Sequence, residues 1–66
     1  HRSKLTEDSV YEILELYYVG DAGGDLWSIE EMIEEFGVSK GTITDVLYGR
    51  TWTNVHVEFM EDFEDA

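Results

Sequence analysis

The sequence predicts a small all-α domain of three helices with an extended acidic C-terminal tail. Three observations lead to this fold class. Apolar residues recur every three to four positions in three separate segments, which is the spacing of helices that bury one face. Glycines fall between these segments, where the chain must turn. The 66 residues suffice for one domain, and 42% hydrophobic residues are too many for a disordered chain.

The first helix is predicted over residues 7–18. Four apolar residues of this segment recur at the i, i+3, i+4 and i+7 positions of one helix face: Val10, Ile13, Leu14 and Tyr17. Thr6 precedes the segment and is a suitable N-cap, because its side-chain oxygen can accept a hydrogen bond from a free amide of the first turn. Three glycines follow within residues 19–25, and this stretch is predicted to be a loop.

The second helix starts from a capping box. Ser28 is followed three residues later by Glu31, so each side chain can accept a hydrogen bond from the other residue's backbone amide. The apolar residues expected to face inward are Leu26, Met32, Ile33 and Phe36. Gly37 comes next, where a helix commonly takes a left-handed C-terminal residue.

A third helix follows after a short turn. Ser39 is a suitable N-cap, and the helix is predicted to run to about Tyr48 before Gly49 ends it. Its buried stripe is predicted to be Ile43, Val46 and Leu47.

The end of the chain is predicted to be extended and then disordered. Residues 51–57 are rich in Thr, Trp and Val, and we expect them to fold Trp52 and Val55 back over the helices. Residues 58–66 contain five acidic residues, whose mutual repulsion favours disorder or a marginal helix. The apolar residues of this stretch are those of a segment that orders on a partner, or of a frayed chain end: Phe59, Met60 and Phe63.

Residues 36–52 carry a further pattern, in which Phe36 and Gly37 lead into the serine-capped third helix and the sequence Gly-Arg-Thr-Trp follows it. This pattern resembles the helix-turn-helix of resolvase-type and phage-regulator domains. The resemblance covers residues 5–55 and implies a small three-helix domain containing a helix-turn-helix. Residues 56–66 would then be a flexible acidic tail, and residues 1–3 suggest a cloning remnant.

The resemblance implies one candidate function, the sequence-preferring binding of duplex DNA. In such domains the third helix presents its side chains to the major groove. Four residues would contact bases: Lys40, Thr42, Thr44 and Tyr48. Ser39 and Arg50 would contact phosphates, and Lys4 would add a further contact.

The charge of the chain opposes this function. Sixteen acidic residues stand against four basic ones, and the formal net charge is -12. Residues 1–35 carry ten acidic against two basic residues and residues 58–66 carry five acidic residues, whereas residues 36–57 carry one acidic against two basic residues. Because a duplex is itself a polyanion, its binding normally needs several Lys or Arg contacts. The acidity therefore favours a partner of the opposite charge.

A second candidate function follows from the spacing of the acidic residues. Carboxylates one helical turn apart lie about 6 Å apart along the helix axis, the same order as the spacing of phosphates on a strand. The predicted acidic face consists of Asp8, Glu12, Glu15, Glu30, Glu31, Glu34 and Glu35. The hypothesis is a phage-like regulatory protein that imitates DNA and inhibits a basic DNA-handling protein, such as RNA polymerase or a DNA-binding regulator. A salt-rich habitat, where acidic surfaces are general, is a third explanation of the charge.

Aromatic residues beside the acidic ones are candidate anchors of a protein interface, in which charge steers the partner and rings hold it. Tyr17, Phe36 and Trp52 are expected in the core. For four others both a core and a surface position stay open: Tyr11, Tyr18, Trp27 and Tyr48.

Other classes of function are disfavoured. The absence of cysteine leaves no disulfide framework or thiolate metal site and fits a cytoplasmic location. Asp21 and Asp25 flank a glycine loop but lack the ligand spacing of a calcium loop, and His56 is a lone imidazole. A domain this small offers no credible pocket, so we expect no enzyme, cofactor, metal or small-molecule substrate. No apolar run reaches the roughly 20 residues of a membrane span.

Overall fold

The computed structural model describes residues 5–65, which form four α-helices and contain no strand. The bounds of the helices are α1 Glu7–Tyr18, α2 Ile29–Phe36, α3 Lys40–Leu47 and α4 Thr53–Asp65. The prediction of an all-α fold is confirmed. The predicted number of helices is wrong, because α4 occupies most of the segment for which the sequence predicts an extended acidic tail. Lys4 and the cloning remnant suggested at residues 1–3 lie outside the described residues.

Helix α1 begins at the predicted cap. The hydroxyl oxygen of Thr6 accepts a hydrogen bond from the Ser9 amide at 3.2 Å. The apolar side chains that α1 buries are Val10, Ile13, Leu14 and Leu16. The placement of Tyr17 in the core is wrong, because this residue is 37% exposed. Since α1 contacts both α3 and α4, it buries a wider arc than a single stripe, and Leu16 falls within that arc.

Helix α2 begins with the predicted capping box. The Glu31 amide donates to the Ser28 hydroxyl oxygen at 3.3 Å, and the Ser28 amide donates to Glu31 Oε1 at 2.9 Å. The inward-facing residues are Met32 and Phe36, which are buried, and Ile33, which is half-buried. The expectation that Leu26 faces inward is wrong. This residue is 61% exposed, because it lies in the loop ahead of the capping box, outside the helical periodicity.

A turn of three residues, 37–39, joins α2 to α3. Gly37 takes the predicted left-handed conformation with φ 67°, and the Ser39 hydroxyl oxygen caps α3 by accepting from the Thr42 amide at 3.3 Å. The predicted buried residues of α3 are confirmed: Ile43, Val46 and Leu47. Tyr48 is the C-cap and Gly49, with φ 75°, turns the chain away from the helix.

Helix α4 is the main correction to the prediction. Val55 and Phe59 are only 5% and 3% exposed, and they lie one helical turn apart on the face of α4 that packs on the core. Met60 is half-buried beside them. Residues 58–65 are therefore helical in spite of their like charges, because burial of apolar side chains offsets the repulsion between exposed carboxylates. The helical alternative predicted for this stretch agrees with the structure, whereas the extended conformation predicted for residues 51–57 is wrong from Thr53 onward. The ordering of this stretch on a partner stays a prediction.

The four helices share one core, and α3 lies at its centre. Helix α3 contacts each of the other helices, and α1 makes its most extensive contact with α4. Each helix contributes at least two buried apolar residues to a single cluster. Trp52, in the connection between α3 and α4, is half-buried against this cluster, in partial agreement with its expected core position. The outward faces of α1, α2 and α4 are left for the acidic residues.

Candidate functional site

All seven residues of the predicted acidic face are exposed on α1 or α2: Asp8, Glu12, Glu15, Glu30, Glu31, Glu34 and Glu35. The structure does not arrange them as one continuous stripe. It divides them between a cleft at the C-terminal end of α1, a second cleft near its N-terminal end, and the outer face of α2. The division follows from tertiary packing, which the spacing of residues along the sequence does not report.

The first cleft, here called the carboxylate cleft, has a volume of about 560 Å³. Four acidic residues line it together with the Trp27 side chain: Glu12, Glu15, Asp21 and Glu35. Two of them come from α1, one comes from α2 and one comes from the loop between these helices. The cleft is therefore a concave site of negative potential with one aromatic wall, which suits a cationic side chain.

Asp21 shapes the wall of the carboxylate cleft. Its Oδ1 accepts hydrogen bonds from the amides of Gly23 at 2.9 Å and Asp25 at 3.1 Å, and its Oδ2 accepts from the Trp27 indole at 3.1 Å. These bonds lower the pKa of the Asp21 carboxyl below its usual value, the amide of Asp25 contributing most and the indole next. Sequence reasoning considered Asp21 only as a calcium ligand. The spacing of Asp21 and Gly23 could have revealed this role, because an aspartate whose side chain accepts a hydrogen bond from the amide two residues later forms an Asx-turn.

The glutamates of α2 have different environments. Glu31 is engaged in the capping box, and Glu35 faces the carboxylate cleft. Glu30 and Glu34 are exposed and line neither cleft. The predicted array of four glutamates is thus reduced to one pair on the outer face of α2, one helical turn apart.

The second cleft lies between α1 and α4 and has a volume of about 320 Å³. Its lining includes Glu7 and Asp8 from α1 and Glu58 from α4. Close by, the Tyr11 hydroxyl donates a hydrogen bond to Asp62 Oδ2 at 2.7 Å. This bond, with smaller contributions from burial and from nearby carboxylates, raises the pKa of the Tyr11 phenol above its usual value. Sequence reasoning missed the α4 residues of this surface because it placed them in a tail.

The surface of α3 carries the residues predicted to contact DNA. Lys40 and Arg50 are exposed near the two ends of the helix, and Tyr48 is 68% exposed. The Arg50 guanidinium lies 3.7 Å from the Asp45 carboxylate and 5.6 Å from the centre of the Tyr48 ring. These two contacts hold the guanidinium over the C-terminal end of α3.

The hydroxyl groups of the α3 surface already make local hydrogen bonds. Thr44 donates to the Lys40 carbonyl at 2.8 Å, and the Ser39 and Thr42 hydroxyls lie 3.0 Å apart. Thr42 and Thr44 are half-buried, so they offer a duplex less surface than the sequence alone implies. Among residues 5–65, Lys40 and Arg50 are the basic residues of the protein, against sixteen acidic ones.

Two structural absences hold within the described part of the chain. Residues 5–65 contain no group of three or more His, Asp or Glu side chains arranged to hold a metal ion. None of the four helices combines the length and the apolar composition that crossing a bilayer requires.

Comparison with known proteins returned no match to a family model, a curated protein or a solved structure. The resemblance of residues 36–52 to a helix-turn-helix therefore depends on the residues and on the local geometry alone.

Proposed function

We propose that this protein is a small helix-turn-helix regulatory protein that binds a basic DNA-handling protein, such as a polymerase or a DNA-binding regulator, through its carboxylates. The observation that carries the proposal is the charge balance of residues 5–65, in which sixteen acidic residues face two basic ones. Thirteen of the carboxylate side chains are exposed, on α1, α2, α4 and the loop after α1. A surface of one sign attracts a cationic partner over long distances and repels a polyanion.

The order of α4 supports a protein-directed role. Phe59 fixes this helix on α1, and Tyr11 holds the Asp62 carboxylate by a hydrogen bond. A partner that meets carboxylates on a packed helix does not have to order a flexible tail, and the entropic cost of association is correspondingly smaller.

Imitation of DNA is the form of binding that the spacing favours. Three pairs of exposed carboxylates lie at the i and i+4 positions of one helix each: Asp8 with Glu12, Glu30 with Glu34, and Glu58 with Asp62. Their separation along the axis is about 6 Å, the same order as that of phosphates on a strand. Each like-charged pair costs a helix about 0.2–0.5 kcal/mol, so the pairs favour binding of a cation over stability of the free protein.

The helix-turn-helix interpretation is supported by the geometry of residues 29–47. Helices α2 and α3 contact each other and are joined by three residues, the first of which is a glycine in the left-handed conformation. This connection is typical of the motif, and α3 would be its recognition helix.

Two charge variants test the proposal against DNA binding. The acidic variant replaces four exposed glutamates with glutamine: Glu12, Glu15, Glu30 and Glu34. Glu31 stays unchanged because it caps α2. The basic control variant is Lys40→Gln with Arg50→Gln. Capture of purified, nucleic-acid-free RNA polymerase and of a set of purified basic DNA-binding proteins is measured for each variant, with added duplex as the competitor.

We expect the acidic variant to lose capture, the basic control variant to retain it, and duplex to compete with the wild-type protein for the same partner. Equal capture by the acidic variant and the wild-type protein contradicts the proposal.

Duplex binding through α3 is the second candidate function. The observation that favours it is that the exposed Lys40 and Arg50 lie near the two ends of α3, with the Arg50 guanidinium over the exposed Tyr48 ring, and that Asp45 is the acidic residue of this helix. This candidate predicts the reverse pattern, in which the basic control variant loses binding to a labelled duplex and the acidic variant gains it. Absence of any duplex binding at micromolar protein and low salt argues against it.

A further inference from the structure

A row of aromatic rings lies along the contact between α1 and α4. The Tyr18 ring lies 5.2 Å from the Tyr17 ring, 5.9 Å from the Phe59 ring and 6.0 Å from the Phe63 ring, measured between centroids. Phe59 and Phe63 stack on each other at 5.8 Å. These four residues are here called the aromatic seam.

Only one ring of the aromatic seam is used by the core. Phe59 is 3% exposed, whereas Tyr17, Tyr18 and Phe63 are 37%, 36% and 44% exposed. The Tyr18 ring contacts both of the other outer rings, so the three rings form one patch. Contiguous exposed aromatic groups are typical of protein interfaces, because they bury a large area at a small cost in side-chain entropy.

Carboxylates border the aromatic seam on both helices. Asp62, next to Phe63 in the chain, is held by the Tyr11 hydroxyl at 2.7 Å, and the Tyr11 ring itself contacts Phe59 at 5.3 Å. Glu15 on α1 and Glu58 on α4 lie near enough for their charges to act on the Tyr11 phenol. The border is therefore negative.

The charge of this border selects the kind of partner. A second copy of this chain would bring its own carboxylates against those of the first, and a nucleic acid would bring phosphates. A basic amphipathic segment complements both parts of the surface, because its apolar side chains cover the rings while its Arg or Lys side chains pair with the carboxylates. Arginine also stacks favourably on tyrosine rings.

We propose that the aromatic seam is the docking surface for a basic amphipathic segment of the partner protein. This inference depends on the proposed function and names the surface that gives the partner its specificity. Long-range charge brings the partner to the acidic helices, and the outer rings Tyr17, Tyr18 and Phe63 then discriminate between an amphipathic cation and a merely charged one.

The test uses two synthetic peptides of equal length and equal arginine content. One carries leucine at helical i, i+3 and i+4 spacing, and the other carries serine at the same positions. Calorimetry gives their affinities for the full chain, and chemical-shift mapping of the isotope-labelled protein locates them. We expect the leucine peptide to bind about tenfold more tightly, which corresponds to about 1.4 kcal/mol, with its largest shifts in the aromatic seam.

Variants then assign the preference to the rings. Tyr17→Ser and Phe63→Ser should each reduce the leucine-over-serine preference by at least half. Leu26→Ser, which also removes an exposed apolar side chain, should leave it unchanged. Because loss of Phe63 removes ring contacts that help to hold α4, the decisive variant is Tyr17→Ser, whose ring contact is with Tyr18, and circular dichroism verifies its helix content.

The outcomes separate this inference from the proposed function. If both peptides bind equally well to the wild-type protein, or if Tyr17→Ser keeps the full preference, the docking role of the seam is overturned while the proposed function stands. If neither peptide binds, the docking role of the seam is also overturned, and the capture experiment with the two charge variants decides the proposed function separately. Dimerisation of the wild-type protein that Tyr17→Ser abolishes assigns the seam to a second copy and overturns the inference.

Discussion

Replacement of Phe59 with alanine tests whether α4 is an integral part of the fold. The Phe59 side chain is 3% exposed and contacts three other rings, with centroid distances of 5.3 Å to Tyr11, 5.9 Å to Tyr18 and 5.8 Å to Phe63. Truncation of a buried phenylalanine costs about 3–5 kcal/mol. A domain of this length has a total stability of about 3–10 kcal/mol. We therefore expect Phe59→Ala to remove about 30% or more of the stability and to release α4 from α1.

The assay is urea unfolding followed by circular dichroism, with Val57→Ala as the matched control. Val57 lies on the same helix but is 49% exposed, so its truncation should change stability by no more than about 0.5 kcal/mol. Amide exchange reports whether the loss is local to α4 or extends to α1 and α3. If Phe59→Ala is as stable as Val57→Ala, α4 is not packed as described, and the prediction of a flexible acidic tail is the better account.

Three further predictions concern the loops and the charge. Gly49→Ala should lower the free energy of unfolding by about 1–3 kcal/mol, because φ at Gly49 is 75° and the added methyl group would lie 2.9 Å from the His56 ring. Gly41→Ala, in an open position of α3, should not lower it. Urea unfolding of both variants checks this prediction. Asp21→Asn should lower the free energy of unfolding at neutral pH. The difference in this free energy between the variant and the wild-type protein should shrink as pH falls below 3.8, because the interactions that lower the pKa of Asp21 stabilise the folded state only while the carboxyl is ionised. Trp27 fluorescence, measured across a pH titration of both proteins, reports this loop. Added sodium chloride should raise the melting temperature, because it screens the repulsion among carboxylates, and a melting temperature independent of salt would contradict that account.

Local signals in the sequence predicted the first three helices well. Thr6, Ser28 and Ser39 cap helices through bonds to amides three residues away, and Gly37 ends α2 through its own backbone conformation. Such signals involve only neighbouring residues, so a single sequence reveals them. The residue ahead of α4 is Trp52, which is not a preferred N-cap residue, and the buried residues of α4 pack against α1. A helix that depends on tertiary contact cannot be recognised from composition, which here indicated repulsion.

The candidate site was predictable as a composition but not as a shape. The sequence indicated which residues are acidic and that α1 and α2 expose them. The spacing of Ser28 and Glu31 also indicated that Glu31 is engaged in capping, but nothing in the sequence indicated that Glu35 joins Glu12 and Glu15 across the carboxylate cleft. The position of Glu35 depends on how α2 packs beside α3 and on the loop that Asp21 organises. The position of a carboxylate in space is decided by the core, whereas its presence is decided by the sequence.

The salt dependence of binding separates the two candidate functions most directly. Lys40 and Arg50 can release counterions from a duplex, so their contribution to the slope of log affinity against log salt should be no steeper than about -1.8. The glutamates of α2 lie about one helix diameter, roughly 10 Å, from α3, which is close to the screening length at 0.1 M salt. Their repulsion of a duplex therefore weakens as salt rises and makes the slope shallower still.

The same carboxylates attract a basic protein, so they should make its affinity depend more steeply on salt, whereas they make the duplex slope shallower. Each of the exposed pairs attracts the partner, so affinity should fall steeply as salt screens them, and the acidic variant should show a shallower fall than the wild-type protein. The two slopes are measured by titrating the labelled chain with duplex and with the captured protein from low to high salt. A duplex slope close to about -1.8, with a flat response for the basic protein, would mean that the carboxylates do not choose the partner and that Lys40 and Arg50 do.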